Sequence, residues 1–164
     1  MPLPADEVHL HDLAHVAWLQ EHGDAELWHV AAMSALTYGD PHGFALWVVQ
    51  QDDVDRATAG YLFLGRYGPE WLSGRPVLGG EGLAGDDLVA VFEAICRGSA
   101  TRGFTRDELG LDPGFETPRR ECLAVVDEGR MAPGMVAPTA LVATPFPAPR
   151  QLGYSIEDGA IFEA

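Results

Sequence analysis

Apolar side chains recur along this chain mostly at the spacing of an α-helix. Residues 5–21 carry Val8, Leu13, Val16, Ala17 and Leu19 at near-helical intervals, with Asp6 and Glu7 where a helix N-terminus favours negative charge, which predicts a first helix. Gly23 stops it. Asp24 is the expected N-cap of a second helix bearing Leu27, Trp28, Val30, Ala31, Ala35 and Leu36, until Gly39-Asp40-Pro41 breaks the run. Together the two predict a helical hairpin.

Phe44, Leu46, Trp47, Val48 and Val49 suit strand or helix by periodicity. The β-branched pair argues for strand and the neighbouring segments for helix. Asp55 stands as an N-cap before Ala57, Thr58, Ala59, Tyr61, Leu62 and Phe63, with Gly60 as a small contact point; the glycine and proline of residues 65–69 end that helix. Pro69-Glu70-Trp71-Leu72 predicts one short turn, and residues 73–85 a mobile Gly/Pro-rich connection. The clearest amphipathic helix starts at Asp86, with Leu88, Val91, Phe92, Ile95 and Cys96 on one face and Glu93 four residues before Arg97 on another.

Thr105 is the expected cap of a brief Arg106-Asp107-Glu108-Leu109 segment. Thr117 followed by Pro118 reads as an N-cap with proline at the first helical position, leading into Cys122, Leu123, Val125 and Val126 until Gly129. Beyond Met131, five prolines predict an extended or irregular tail rather than helix, and Asp158-Gly159 predicts a tight hairpin near the end. The fold class expected is mainly α: one domain over residues 1–164, with a helical core of five to seven helices over about residues 5–130 and a proline-rich tail, irregular or short-β, over residues 131–164.

Length and composition agree. At 164 residues roughly two thirds of the unfolded surface can be buried without staples, and 47% hydrophobic against 21% charged residues reads as a globular chain. The formal charge of −15 changes the picture of function more than that of fold. Every basic residue is arginine, and so acidic a surface repels nucleic acid and anionic membrane while attracting a basic protein. The plainer account of the acidity is solubility alone. Cys96 and Cys122 sit in apolar stretches without disulfide, zinc or CxxC spacing, so buried thiols in a reducing cytoplasm are expected; neither a signal peptide nor an apolar run of membrane-span length is recognisable.

Candidate chemistry is sparse. All six histidines precede residue 43, and His11 and His15 have the i, i+4 spacing of a helical metal pair, yet the glutamate a zincin uses as base is missing. With a carboxylate such as Asp12 or Asp40 they define an alternative, a metal-assisted hydrolase; surface histidines are the plainer account. Asp52, Asp53 and Asp55 lack the glycine and terminal glutamate of a calcium loop, and Gly79-Gly80-Glu81-Gly82 lacks the Gly-Lys-Ser/Thr ending of a phosphate loop. No serine or cysteine has a nucleophile's local signature, so no cofactor and no catalytic set are expected. Among the aromatics, Trp71 is the one expected nearest the surface.

The segment Trp47-Val48-Val49, Gln51, Asp55, Thr58-Ala59 and Phe63 resembles an uncharacterised bacterial family of small helical proteins, a domain of unknown function. There a tryptophan-led helix ends near Gln-Pro-x-Cys-Asp and the next begins Ala/Gly-Thr-Ala. The resemblance covers residues 38–72. Asp52 replaces the family's proline and Val54 its cysteine, and an upstream Trp-Asp-Asp-Gly-like element survives only as Tyr38-Gly39-Asp40 and Gly43. It implies a helical bacterial module without assigned chemistry. The reading that follows is a cytoplasmic, non-enzymatic protein-binding module, in its narrowest form an immunity or antitoxin-like protein that occludes a basic toxin through Asp52, Asp53, Glu70 and Trp71. A homodimer subunit is a third alternative.

Overall fold

The computed structural model describes residues 3–79 and 82–164, and among these the chain is mainly α. Helices α1 (Leu13–His22) and α2 (Ala25–Tyr38) form the expected hairpin, turning at Gly23 and restarting where the Asp24 carboxylate accepts from the Leu27 amide. The first helix starts later than the pattern of residues 5–21 predicts. Asp12, not Asp6, caps it by accepting from the Ala14 and His15 amides, and Val8–His9 upstream is a strand, β1.

The ambiguous run after Gly43 is helical, α3 (Phe44–Val49), with Asp40 accepting from the Phe44 and Ala45 amides. Helix α4 (Arg56–Leu64) begins on Asp55 as expected, and α5 (Gly68–Leu72) is the short turn at Pro69. Helix α6 (Gly85–Thr101) buries Leu88, Val91, Phe92, Ile95 and Cys96 as its periodicity requires. Phe63 of α4 lies at the core centre, edge-on to Phe92 at 5.2 Å and to Trp71 at 6.4 Å between ring centroids. Such aromatic contacts add roughly 1 kcal/mol each to the area they bury.

Residues 104–111 are not the capped helical segment predicted at Thr105. The Asp55 carboxylate accepts from the Glu108 and Leu109 amides and draws this stretch alongside α4, with Arg106 bridged to Asp55 by backbone pairing. Thr117 is likewise no cap. Asp112 caps a 3-10 turn, Pro113–Phe115, which runs straight into α7 (Glu116–Asp127), so Pro118 falls in the first turn, where a missing amide costs nothing.

The tail departs most from expectation. Thr139–Val142 forms a one-turn helix, α8, and Leu141 and Val142 are fully buried. The hairpin predicted at Asp158-Gly159 is present as β2 (Tyr154–Glu157) and β3 (Ala160–Glu163), and both turn residues have positive φ. Its β3 strand sits between β2 and β1, antiparallel to each, with Val8 opposite Ile161. One hydrophobic core therefore runs from Val8 through the helices to Ile161.

Candidate functional site

Of the four residues expected to meet a partner, Asp52 and Asp53 are exposed on the turn between α3 and α4; the Asp52 side chain is 97% exposed, with Arg102 Nε 3.6 Å away. Glu70 is half-buried and lines a groove with Ser73, Arg75, Glu121 and Arg130. Trp71 contradicts its expectation. It is 8% exposed because α5 turns it inward against Phe63 and Phe92, so it is a core residue and no surface anchor. Asp52 sits over the end of α6 and Glu70 beside α7, and the four do not assemble into one patch.

The N-terminal histidines do not form the helical pair their spacing suggested. His11 precedes the Asp12 cap and lies outside α1, its carbonyl accepting from His42. The His15 Nδ1 accepts from the His9 amide, which takes up one of its ring nitrogens. Asp12 and Asp40 are both occupied as helix caps, and burial holds the Asp40 carboxyl above its ordinary value despite two amide donors. No group of three or more His, Cys, Asp or Glu side chains among the described residues is arranged to hold a metal.

Charge is distributed with a clear sense. Arg56, Arg66, Arg102 and Arg119 donate to backbone carbonyls, while Arg106, Arg120, Arg130 and Arg150 pair with carboxylates. Arg56 is 3% exposed: it donates to the Leu141, Thr144 and Pro145 carbonyls, pairs with Asp107 at 3.0 Å and stacks 4.1 Å over Phe146. Only Arg75 and Arg97 have no such partner among the described residues. The carboxylates of Asp53, Asp86, Asp87, Glu93, Asp127, Glu157 and Asp158, by contrast, are exposed without an arginine partner. An acidic hollow of about 500 Å³ between β1 and the β2–β3 turn is lined by Asp6, Glu7, Glu157 and Asp158 together with His9, whose Nε2 lies 2.9 Å from Glu7, and the half-buried Phe162.

A second feature escaped the sequence reading. His29 is 5% exposed, and its Nδ1 lies 2.9 Å from Thr58 Oγ1 on α4. Burial lowers its pKa to about 4, an effect the nearby Asp55 carboxylate opposes. The ring lines a cleft of about 210 Å³ with Met33, Tyr61, Leu111, Phe115 and Leu152, edge-on to Tyr61 at 6.1 Å. The signal was there: His29 stands between Trp28 and Val30 in a helix whose buried residues run almost unbroken through Leu36. Grouping all six histidines by their place in the chain hid it.

Cys96 and Cys122 are buried free thiols, both pushed up to about 12 by burial, which removes them as nucleophiles at neutral pH. No helix is long and apolar enough to cross a membrane among the described residues. No family model, no curated protein and no solved structure matches the chain.

Proposed function

We propose that this chain is a non-enzymatic binding module for a basic protein. The observation that carries the reading is the surplus of exposed carboxylates without an arginine partner: of the few cations, Arg56 and Arg119 are buried and Arg66 and Arg102 half-buried as donors to backbone carbonyls, which leaves fewer still to offset the acidic groups outside. With a formal charge of −15, exposed carboxylates outnumber exposed arginines. Such a field speeds encounter with a basic partner and disfavours nucleic acid and anionic membrane. The hollow of Asp6, Glu7, Glu157 and Asp158 around Phe162 suits an arginine side chain, which would gain carboxylate partners and an aromatic face together. Asp52 and Asp53 form a second acidic corner.

The narrower form of the proposal is an immunity-like protein that covers the basic active site of a toxin. The resemblance of residues 47–63 to a family of small bacterial helical proteins and the two free thiols favour a bacterial, cytoplasmic setting. The test is capture from native lysate with the full chain, beside a variant carrying Asp6→Asn, Glu7→Gln, Glu157→Gln and Asp158→Asn. A stoichiometric basic partner bound at least tenfold more weakly by the variant is expected. Absence of a stoichiometric partner, or an acidic one, overturns the proposal.

A further inference from the structure

We propose that the cleft over His29 is a binding site for a small, flat, uncharged molecule that combines an apolar ring with a hydrogen-bond acceptor, such as an aromatic ketone or amide. Thr58 is fully buried, and its hydroxyl has one partner among the described residues, His29 Nδ1. A buried hydroxyl hydrogen needs an acceptor. The arrangement that satisfies it has the Thr58 O–H donating to Nδ1, which places the proton of the neutral imidazole on Nε2. That N–H has no protein acceptor among the described residues and is not closed off from solvent, so it opens on the cleft that the ring lines.

A ligand acceptor takes the place of water at this donor, between walls that are otherwise largely apolar. The rest of the lining selects an apolar body: Met33, Leu111 and Leu152 are aliphatic, and Tyr61 and Phe115, packed against each other at 5.7 Å between centroids, add aromatic surface. The volume, about 210 Å³, lies below the roughly 300–1,000 Å³ of drug-sized ligand sites and so fits a single substituted ring. Charge selects against an anion. Asp55 lies near His29 and Asp112 lines the cleft, and the one arginine at its rim, Arg150, already faces Glu26 at 3.5 Å. The walls are preformed, because the Leu111 amide donates to Pro147, the Arg150 amide to Leu109 and the Leu109 amide to Asp55. This site stands apart from the acidic surface, and neither proposal depends on the other.

The experiment titrates the full ¹⁵N-labelled chain with acetophenone and with ethylbenzene, following the His29 ring nitrogens and the Met33 methyl by NMR. Acetophenone is expected to give saturable shifts at both, with a Kd about tenfold tighter than that of ethylbenzene, the margin one neutral hydrogen bond supplies. Leu152→Trp, which fills the cleft from a half-buried position, is expected to abolish binding while circular dichroism stays unchanged. His29→Phe, if folded, is expected to erase the preference for the ketone. No saturable shift, equal affinity for the two probes, or binding that survives Leu152→Trp overturns the proposal.

Discussion

Asp55 accepts a hydrogen bond from the Glu108 amide at 2.8 Å across 53 positions of sequence, while its other oxygen accepts from the Ala57 amide at 2.9 Å. One fully buried carboxylate thus starts α4 and fastens the loop that walls the His29 cleft. Its acceptors serve amides that would otherwise be orphaned in the interior. Asp55→Ala is expected to cost about 3 kcal/mol, a cap plus one buried and one part-buried amide without an acceptor, measured by urea denaturation. A loss below about 1 kcal/mol would show that water or a rearranged loop satisfies those amides.

Arg56 binds the tail from the next position. Replacing it with methionine leaves the Leu141, Thr144 and Pro145 carbonyls without their donor, while Asp107, 38% exposed, keeps water. Losing one buried and two part-buried carbonyl bonds to a charged donor costs about 2 to 3 kcal/mol. Hydrogen exchange should show amides of residues 139–150 losing protection well before those of α6. Uniform loss across the chain would mean that the tail and the helical core unfold as one unit.

Stability should depend on pH through His29. Its folded pKa of about 4 lies below the ordinary 6.5, so the unfolded chain binds the proton more readily. Stability from this group is intact above pH 6.5 and falls as pH drops through the window toward 4, by about 3 kcal/mol in total. Asp55, Tyr61, Asp112 and Arg150 are the charged or titratable groups around it. Denaturation midpoints between pH 7 and 4, compared with those of His29→Phe, give the check: the variant should have the flatter profile in this window.

Gly110 turns with φ of +72°, and a Cβ there would run into the Ala148 carbonyl. Gly110→Ala is expected to destabilise by about 2 kcal/mol from backbone strain alone, with a further loss as residues 109–111 and 147–150 are pushed apart. Thermal denaturation reads the effect, and an unchanged Tm would contradict the contact.

The two thiols should behave as core residues. Cys96 and Cys122 are 1% and 0% exposed, so a thiol reagent at neutral pH is expected to label neither until denaturant unfolds the chain. Labelling of native protein on the timescale of a free thiol would show that α6 and α7 open locally.

Much of the helical frame was legible because the residues that mark it act locally. Asp24 and Asp55 cap where an aspartate before an apolar run should, Gly23 ends α1, and the i, i+3, i+4 pattern of Leu88, Val91, Phe92 and Ile95 defines α6. Long-range partners were illegible. Val8 looked like part of a helix because its pairing with Ile161 is invisible to periodicity, and Thr105 looked like a cap because Asp55 captures the following amides across 53 residues. The proline-rich tail is ordered by Arg56, a contact no local pattern announces. The same holds for the sites: Asp52 and Asp53 were identified as exposed from their turn, whereas Trp71 was placed outside by its loop neighbours and is inside by packing. His29 needed the position of Thr58 to become meaningful.

The acidic-surface account is tested most directly by the association rate of the captured partner as a function of ionic strength. Steering by a field of this sign and size requires the rate to fall steeply, by at least tenfold between about 20 and 500 mM salt, while the dissociation rate changes little. An association rate that is flat across that range would contradict the claim that the surplus of outward carboxylates is built for a basic partner.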